Sequence, residues 1–150
     1  MGAEEIKIGV IYPLTGGAAA AGRELRAGAE LAARIANSLM PDLAMPMAQN
    51  EWGQEPGGAK IKLIIKDHQG NPTLGADLAK KLILDDKVDG ILGCYHSSVT
   101  KTVSAVCEQY GVPMINGSST SPGLTTSGDL NGSGGPPLMT DGLPKTCLNS

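Results

Sequence analysis

The chain has no phenylalanine, one tryptophan and three tyrosines in 150 residues. A core for one domain of this length must therefore be built from Ile, Leu, Val, Ala and Met. No apolar run approaches the roughly 20 residues of a membrane-spanning helix. Basic residues are few: 12 Lys and Arg stand against 15 Asp and Glu, with the signs interspersed. The lack of a basic stripe excludes nucleic acid as a natural partner. An apolar export signal is also missing, because Met1-Gly2-Ala3-Glu4-Glu5 is acidic. Met1-Gly2 ahead of a polar start fits a chain from which such a signal has been removed. The three cysteines, Cys94, Cys107 and Cys147, are an odd number, which excludes full intrachain pairing. Their spacing matches no zinc template, so they read as unpaired thiols, Cys107 on the buried face of a helix.

What the chain does have is a set of short apolar runs alternating with helical patterns. Strands are predicted at Ile6–Ile11, Ala59–Lys66, Val88–Gly93 and Val112–Asn116. Pro113 restricts the last to an edge or to a strand that starts after it. A helix from Arg23 to about Ser38 carries Leu25, Ala29, Ala32, Ala33 and Ala36 on one stripe. A second is predicted from Leu74 to about Asp85 with Thr73 as N-cap. Leu74, Leu78, Lys81 and Leu82 form its face, with Ala79, Ile83 and Leu84 flanking. A third runs from about Ser98 to Tyr110 with Val99, Val103, Val106, Cys107 and Tyr110 inward, closed by Gly111. Residues 41–58 read as a surface insertion in which Trp52 packs locally. This β-α-β-α-β-α-β order predicts an α/β fold: an open, doubly wound parallel sheet with helices on both faces, flavodoxin-like. Residues 1–128 form the expected lobe. Residues 129–150 read as a Gly/Pro-rich linker, Asn131 to Pro137, followed by an irregular tail.

Hydroxyl-rich loops recur after the strands: Tyr12-Pro13-Leu14-Thr15-Gly16-Gly17, Cys94-Tyr95-His96-Ser97-Ser98 and Gly117-Ser118-Ser119-Thr120-Ser121. In an open parallel sheet the carboxyl ends of the strands share one edge, where ligands bind. Pro13, Thr15, Tyr95, Ser97, Ser98, Ser118, Ser119 and Thr120 are therefore the candidate ligand-binding residues. Ser97 and Ser98 open a helix and supply its positive end, suited to a carboxylate. The first loop has neither the Lys of a Walker A motif nor Gly-x-Gly-x-x-Gly, which argues against a phosphate cradle. A Ser97–His96–Asp67 triad lacks the Gly-x-Ser-x-Gly elbow. His68 and His96 read as exposed loop residues, and Asp85, Asp86 and Asp89 as solvated carboxylates around a turn. No catalytic residue, metal ligand or cofactor is expected.

From about Ile6 to Gly128 the chain resembles the amino-terminal lobe of type I periplasmic solute-binding proteins, in the branched-chain amino-acid-binding group of ABC importers. Ile6-Lys7-Ile8-Gly9-Val10, Pro13-Leu14-Thr15-Gly16, Gly28-Ala29-Glu30-Leu31-Ala32, Lys66-Asp67 before Asn71-Pro72, Gly93 before Ser97-Ser98, and Gly111-Val112-Pro113 leading to Ser118 through Thr125 carry the resemblance. It implies a non-catalytic, extracytoplasmic protein that clamps an aliphatic amino acid between two lobes and delivers it to a membrane permease. Ser97 would offer hydroxyl and N–H to the carboxylate, Ser118 its carbonyl to the ammonium, and Thr120 its hydroxyl and N–H. A disulfide that some members carry between the second and third loops is absent, since Gly70 and His96 stand there. Ala21 replaces a first-loop aromatic of some relatives. The second lobe is missing, so the resemblance describes a truncated lobe with self-association through the exposed inter-lobe surface. The alternative is an excised flavodoxin-like lobe that folds, and dimerises, without binding ligand.

Overall fold

Short β-branched runs joined by helices leave a chain only one economical arrangement, a parallel sheet with its crossovers on the two faces. The computed structural model describes residues 5–38, 42, 44 and 59–124, and the backbone of 147–149. Strands β1 (Glu5–Tyr12), β2 (Lys60–Asp67), β3 (Gly90–Gly93), β4 (Met114–Asn116) and β5 (Cys147–Asn149) form one sheet in the order β2-β1-β3-β4-β5. All four pairings are parallel. Helices α1 (Ala19–Asn37), α2 (Pro72–Leu84) and α3 (Ser97–Tyr110) connect the first four strands, and a 3-10 turn spans Pro122–Leu124. The step from β1 to β2 runs opposite to the step from β2 to β3. Right-handed crossovers therefore put α1 on one face and α2, with its neighbour α3, on the other.

Register assigns the faces. Gly9 aligns with Ile64 and Ile91, and Ile91 with Met114. This row lies in the main core with Leu82, Val99, Val103 and Cys107 from α2 and α3. Gly9 is required there by close approach: a Cβ would sit 2.8 Å from Cδ1 of Leu82. Val10, Leu92 and Ile115 align on the opposite face. Val10 is buried, whereas Ile115 is 44% exposed.

Several local expectations are revised. α1 begins four residues before Arg23, and its buried residues are Gly22, Ala33, Ile35 and Ala36, with Ala32 exposed. The N-cap of α2 is Asn71, not Thr73: its Oδ1 accepts from the N–H groups of Thr73 and Leu74, and Pro72 needs no donor partner at the first helical position. The buried stripe of α2 is Gly75, Ala79 and Leu82: Leu82 of the expected face is buried, but the stripe turns by one residue from Leu74, Leu78 and Lys81. Tyr110 ends α3 39% exposed. Gly111 closes that helix as expected, with Val112 N–H donating to the Cys107 carbonyl at 3.0 Å. β4 starts after Pro113, whose carbonyl accepts from Ile91 N–H at 2.9 Å. Asp89 is not merely solvated, since its Oδ2 accepts from Lys7 N–H at 2.8 Å and its own N–H donates to the Lys7 carbonyl. Cys147–Asn149 forms a short strand inside the tail that shows no period in sequence. Trp52, the rest of the 41–58 insertion apart from residues 42 and 44, and the linker from Asn131 to Pro137 lie outside the described residues.

Leu82→Ala should lower the unfolding free energy by about 2–5 kcal/mol through lost burial and a residual cavity. Ile115→Thr, on the open face, should change it by less than about 1 kcal/mol. Urea denaturation compares the two, and equal losses would contradict the assignment of faces.

Candidate functional site

Because the strands run in one direction, the loops after Tyr12, Asp67, Gly93 and Asn116 emerge at one edge. Hydrogen bonds then tie them in pairs. The Asp67 carboxylate joins the second loop to the first, accepting from Leu14 N–H at 2.8 Å on Oδ1 and from the Thr15 hydroxyl at 2.6 Å on Oδ2. Ser119 joins the fourth to the third, its hydroxyl donating to the Cys94 carbonyl at 2.6 Å. The Thr100 hydroxyl lies 2.6 Å from the same Ser119 oxygen. Ser118 reaches the Cys94 carbonyl at 3.3 Å. The second and third loops meet through His68 and His96, edge-on with ring centroids 5.4 Å apart. A Cβ on Gly70 would come within 3.7 Å of the His96 ring.

The eight candidate residues divide into those engaged by the protein and those left open; Ser118 falls between, its hydroxyl donating to the Cys94 carbonyl. Pro13 is fully buried, and its carbonyl lies so close to α1 that a Cβ on Gly22 would overlap it. Thr15 is held by Asp67. Ser119 is saturated: its N–H donates to Asn116 Oδ1 at 2.9 Å, its carbonyl accepts from Asn116 Nδ2 at 3.1 Å, and its hydroxyl is bound as above. These three are scaffold. Ser97, Ser98 and Thr120 have side chains that make no hydrogen bond among the described residues. Tyr95 is 40% exposed at the rim, its ring 5.3 Å from that of His96.

The open residues coincide with a helix start. α2 is capped by Asn71, whereas α3 begins after His96 with no side-chain cap. The N–H groups of Val99 and Thr100 both donate to the His96 carbonyl, at 3.0 and 2.9 Å. Those of Ser97 and Ser98 find no partner among the described residues. First-turn N–H groups and the positive end of the helix together attract an anion.

Electrostatics reinforce this division. Burial raises the Asp67 carboxyl, but hydrogen bonds from Thr15, Gln69 and Leu14 outweigh it and hold the group below its ordinary range. Cys94 lies beneath the loops, and burial pushes its thiol far up, so it is not a ready nucleophile. His68 corrects the expectation of exposed histidines: it is fully buried, and His96 is half-buried. Gly70 N–H donates to His68 Nδ1 at 2.9 Å, which puts the proton of the neutral ring on Nε2, an atom without a partner among the described residues. Burial, and then the nearby His96, lower the His68 pKa, partly opposed by a backbone hydrogen bond and by Asp67. No Ser–His–acid relay forms: Asp67 is occupied by three donors and Ser97 bonds to neither imidazole. Among the described residues no group of three or more His, Cys, Asp and Glu is placed to hold a metal ion. Asp67, Asn116 and Thr100 are rim residues outside the eight candidates, although Asp67 stands in the Lys66-Asp67 motif. Asp67 and Asn116 each end a strand, which was the available signal.

The described residues thus form a parallel α/β lobe with an open helix start and a hydroxyl-bearing rim. A family model described as periplasmic binding protein matches residues 5–134, and the chain belongs to that family. It is 32% identical over 124 residues to Leu/Ile/Val-binding protein homolog 3 of Brucella melitensis, covering 83% of this chain and 30% of that protein. Its identity to a leucine-, isoleucine-, valine-, threonine- and alanine-binding protein of Pseudomonas aeruginosa is 30% over 128 residues, covering 85% of the chain and 30% of that protein. Among solved structures, the branched-chain amino acid transporter substrate binding protein LivJ of Streptococcus pneumoniae, in complex with isoleucine, superposes with a TM-score of 0.65 at 27% identity, over 81% of this chain and 31% of that one. The leucine binding protein LivK of Thermotoga maritima gives 0.63 at 27% identity, over 78% and 29%. The chain thus spans under a third of the length of these relatives.

The His68 shift has a signed consequence. The unfolded chain takes up a proton near the ordinary value of 6.5, the folded chain only at lower pH. Stability is therefore full above that value and falls as pH drops toward the folded pKa. The urea midpoint should be lower at about pH 5.5 than at about pH 7.5, and His68→Gln should flatten the dependence. An unchanged slope in that variant would contradict the buried neutral imidazole.

Proposed function

We propose that residues 1–128 are the amino-terminal ligand-binding lobe of the substrate-binding component of an ABC importer for aliphatic amino acids or related small polar ligands. Residues 129–150 serve as linker and tail. The lobe performs no reaction. The observation that carries this reading is the uncapped start of α3, with the open N–H groups of Ser97 and Ser98 on the same edge as the Ser118 carbonyl and Thr120. A ligand carboxylate fits the helix end, and its ammonium needs an acceptor such as the Ser118 carbonyl. The names of the relatives support the ligand class. They also favour this reading over an excised lobe with no binding role. In the complete protein the lobe acts outside the cytoplasm, closes on a second lobe and hands the ligand to a membrane permease.

Affinity in such clamps comes from burying the ligand between two surfaces. One surface leaves half of it wet, so binding to this chain should fall in the millimolar range, roughly 4 kcal/mol. Titration with leucine followed by NMR should move the amide signals of Ser97, Ser98 and Thr120 with a millimolar dissociation constant. Ser97→Ala should weaken it by about fivefold, the worth of one hydrogen bond. Absence of shifts at these three residues with every aliphatic amino acid tried would contradict the reading.

We further propose that the rim surface of this chain mediates self-association. Sedimentation velocity should show a concentration-dependent dimer, and a monomer at all concentrations would contradict this.

A further inference from the structure

We infer that Asp67 is the positioning residue that holds the first loop of the rim in its ligand-receiving shape, an inference that rests on the ligand reading above. Asp67 is the last residue of β2 and stands in register beside Tyr12, the last of β1. Its side chain therefore points out just where the first loop departs. Oδ1 accepts from Leu14 N–H at 2.8 Å and from Gln69 N–H at 2.9 Å, and Oδ2 accepts from the Thr15 hydroxyl at 2.6 Å. One carboxylate thus fixes two loops more than 50 residues apart in sequence.

The chemistry suits a carboxylate in particular. Three donors converge on it and no cation does, since no Lys or Arg among the described residues is ion-paired with it. An acceptor-only group with two oxygens can receive all three. An amide could offer only one oxygen and would turn an N–H₂ toward Thr15 or toward the backbone donors. Leu14 N–H has no other partner among the described residues. Beyond Thr15, among the described residues, the loop is closed by Ala19 N–H donating to the Gly16 carbonyl at 3.2 Å. The course of Leu14 to Gly17, and with it the backbone offered to a ligand, depends on Asp67.

The test uses the full chain in four forms: wild type, Asp67→Ala, Thr15→Val and Thr15→Ser. Amide hydrogen exchange of Leu14 should accelerate by about tenfold or more in Asp67→Ala, and by less in Thr15→Val, while Ile91 and Leu92 in β3 keep their protection. Thr15→Ser keeps the hydroxyl and should behave as wild type. In the NMR titration leucine should bind several-fold more weakly to Asp67→Ala, with the Ser97 signal still moving in the same direction. Thr15→Val carries the test if Asp67→Ala does not fold, because it removes only the exposed end of the tether. Unchanged Leu14 exchange in both variants, or an equal acceleration throughout β3, overturns the inference. A wild type whose Ser97 and Thr120 signals ignore leucine overturns the ligand reading instead, whatever the exchange pattern shows.

Discussion

The common direction of the strands is the constraint on which every other feature depends. Reversing one strand would send its following loop to the opposite edge, on the order of 10 Å away for strands of three or four residues. The register leaves no such freedom. β1 pairs with β2 over eight residues, ending at Tyr12 beside Asp67. Ile11 stands beside Gly93 and Leu92 beside Ile115, so all four loops start at nearly one level. Only then can Ser119 reach Cys94, and Asp67 reach Leu14.

The hydroxyls of the rim divide between those bonded within the protein and those left open. A polar group under a turn is costly when left without a partner. Ser119 meets that demand with its backbone and side chain alike, and Asn116 does the same for the turn it begins. Ser97, Ser98 and Thr120 sit where water or a ligand can satisfy them instead. The contrast between the two helix starts has the same logic. Asn71 closes the start of α2, while α3 has no side-chain cap and leaves the N–H groups of Ser97 and Ser98 without a partner among the described residues.

Most of the architecture was legible from hydrophobic pattern alone. The first four strands and three helices lie where β-branched runs and helical periodicity put them, because burial on a sheet face leaves a periodic mark. Gly111 and Pro113 punctuate as their backbone chemistry demands. Misreadings fall where tertiary partners outweigh local preference. Asn71 displaced Thr73 because Pro72 favours the first helical position. The stripe of α2 turned toward Gly75 because the small residue lets the helix approach Val99, which a Cβ would meet at 2.5 Å. β5 is three residues long and paired only along β4, too short for any period to announce it.

The location of the candidate site was legible, but its division of labour was not. Eight residues were named from loop composition, and the structure brings their loops to one edge. Which hydroxyls face inward depends on carbonyls and carboxylates distant in sequence, such as Cys94 for Ser119 and Asp67 for Thr15. His68 was misjudged for the same reason: a polar residue after a strand is buried here by the neighbouring loop. The most direct measurement of the central claim is the set of nuclear Overhauser contacts between the third and fourth loops. The account predicts contacts from the Ser119 β-protons to the Thr100 methyl and to the Cys94–Tyr95 backbone. Their absence, in a chain whose β3 and β4 amides are otherwise protected, would contradict a shared rim.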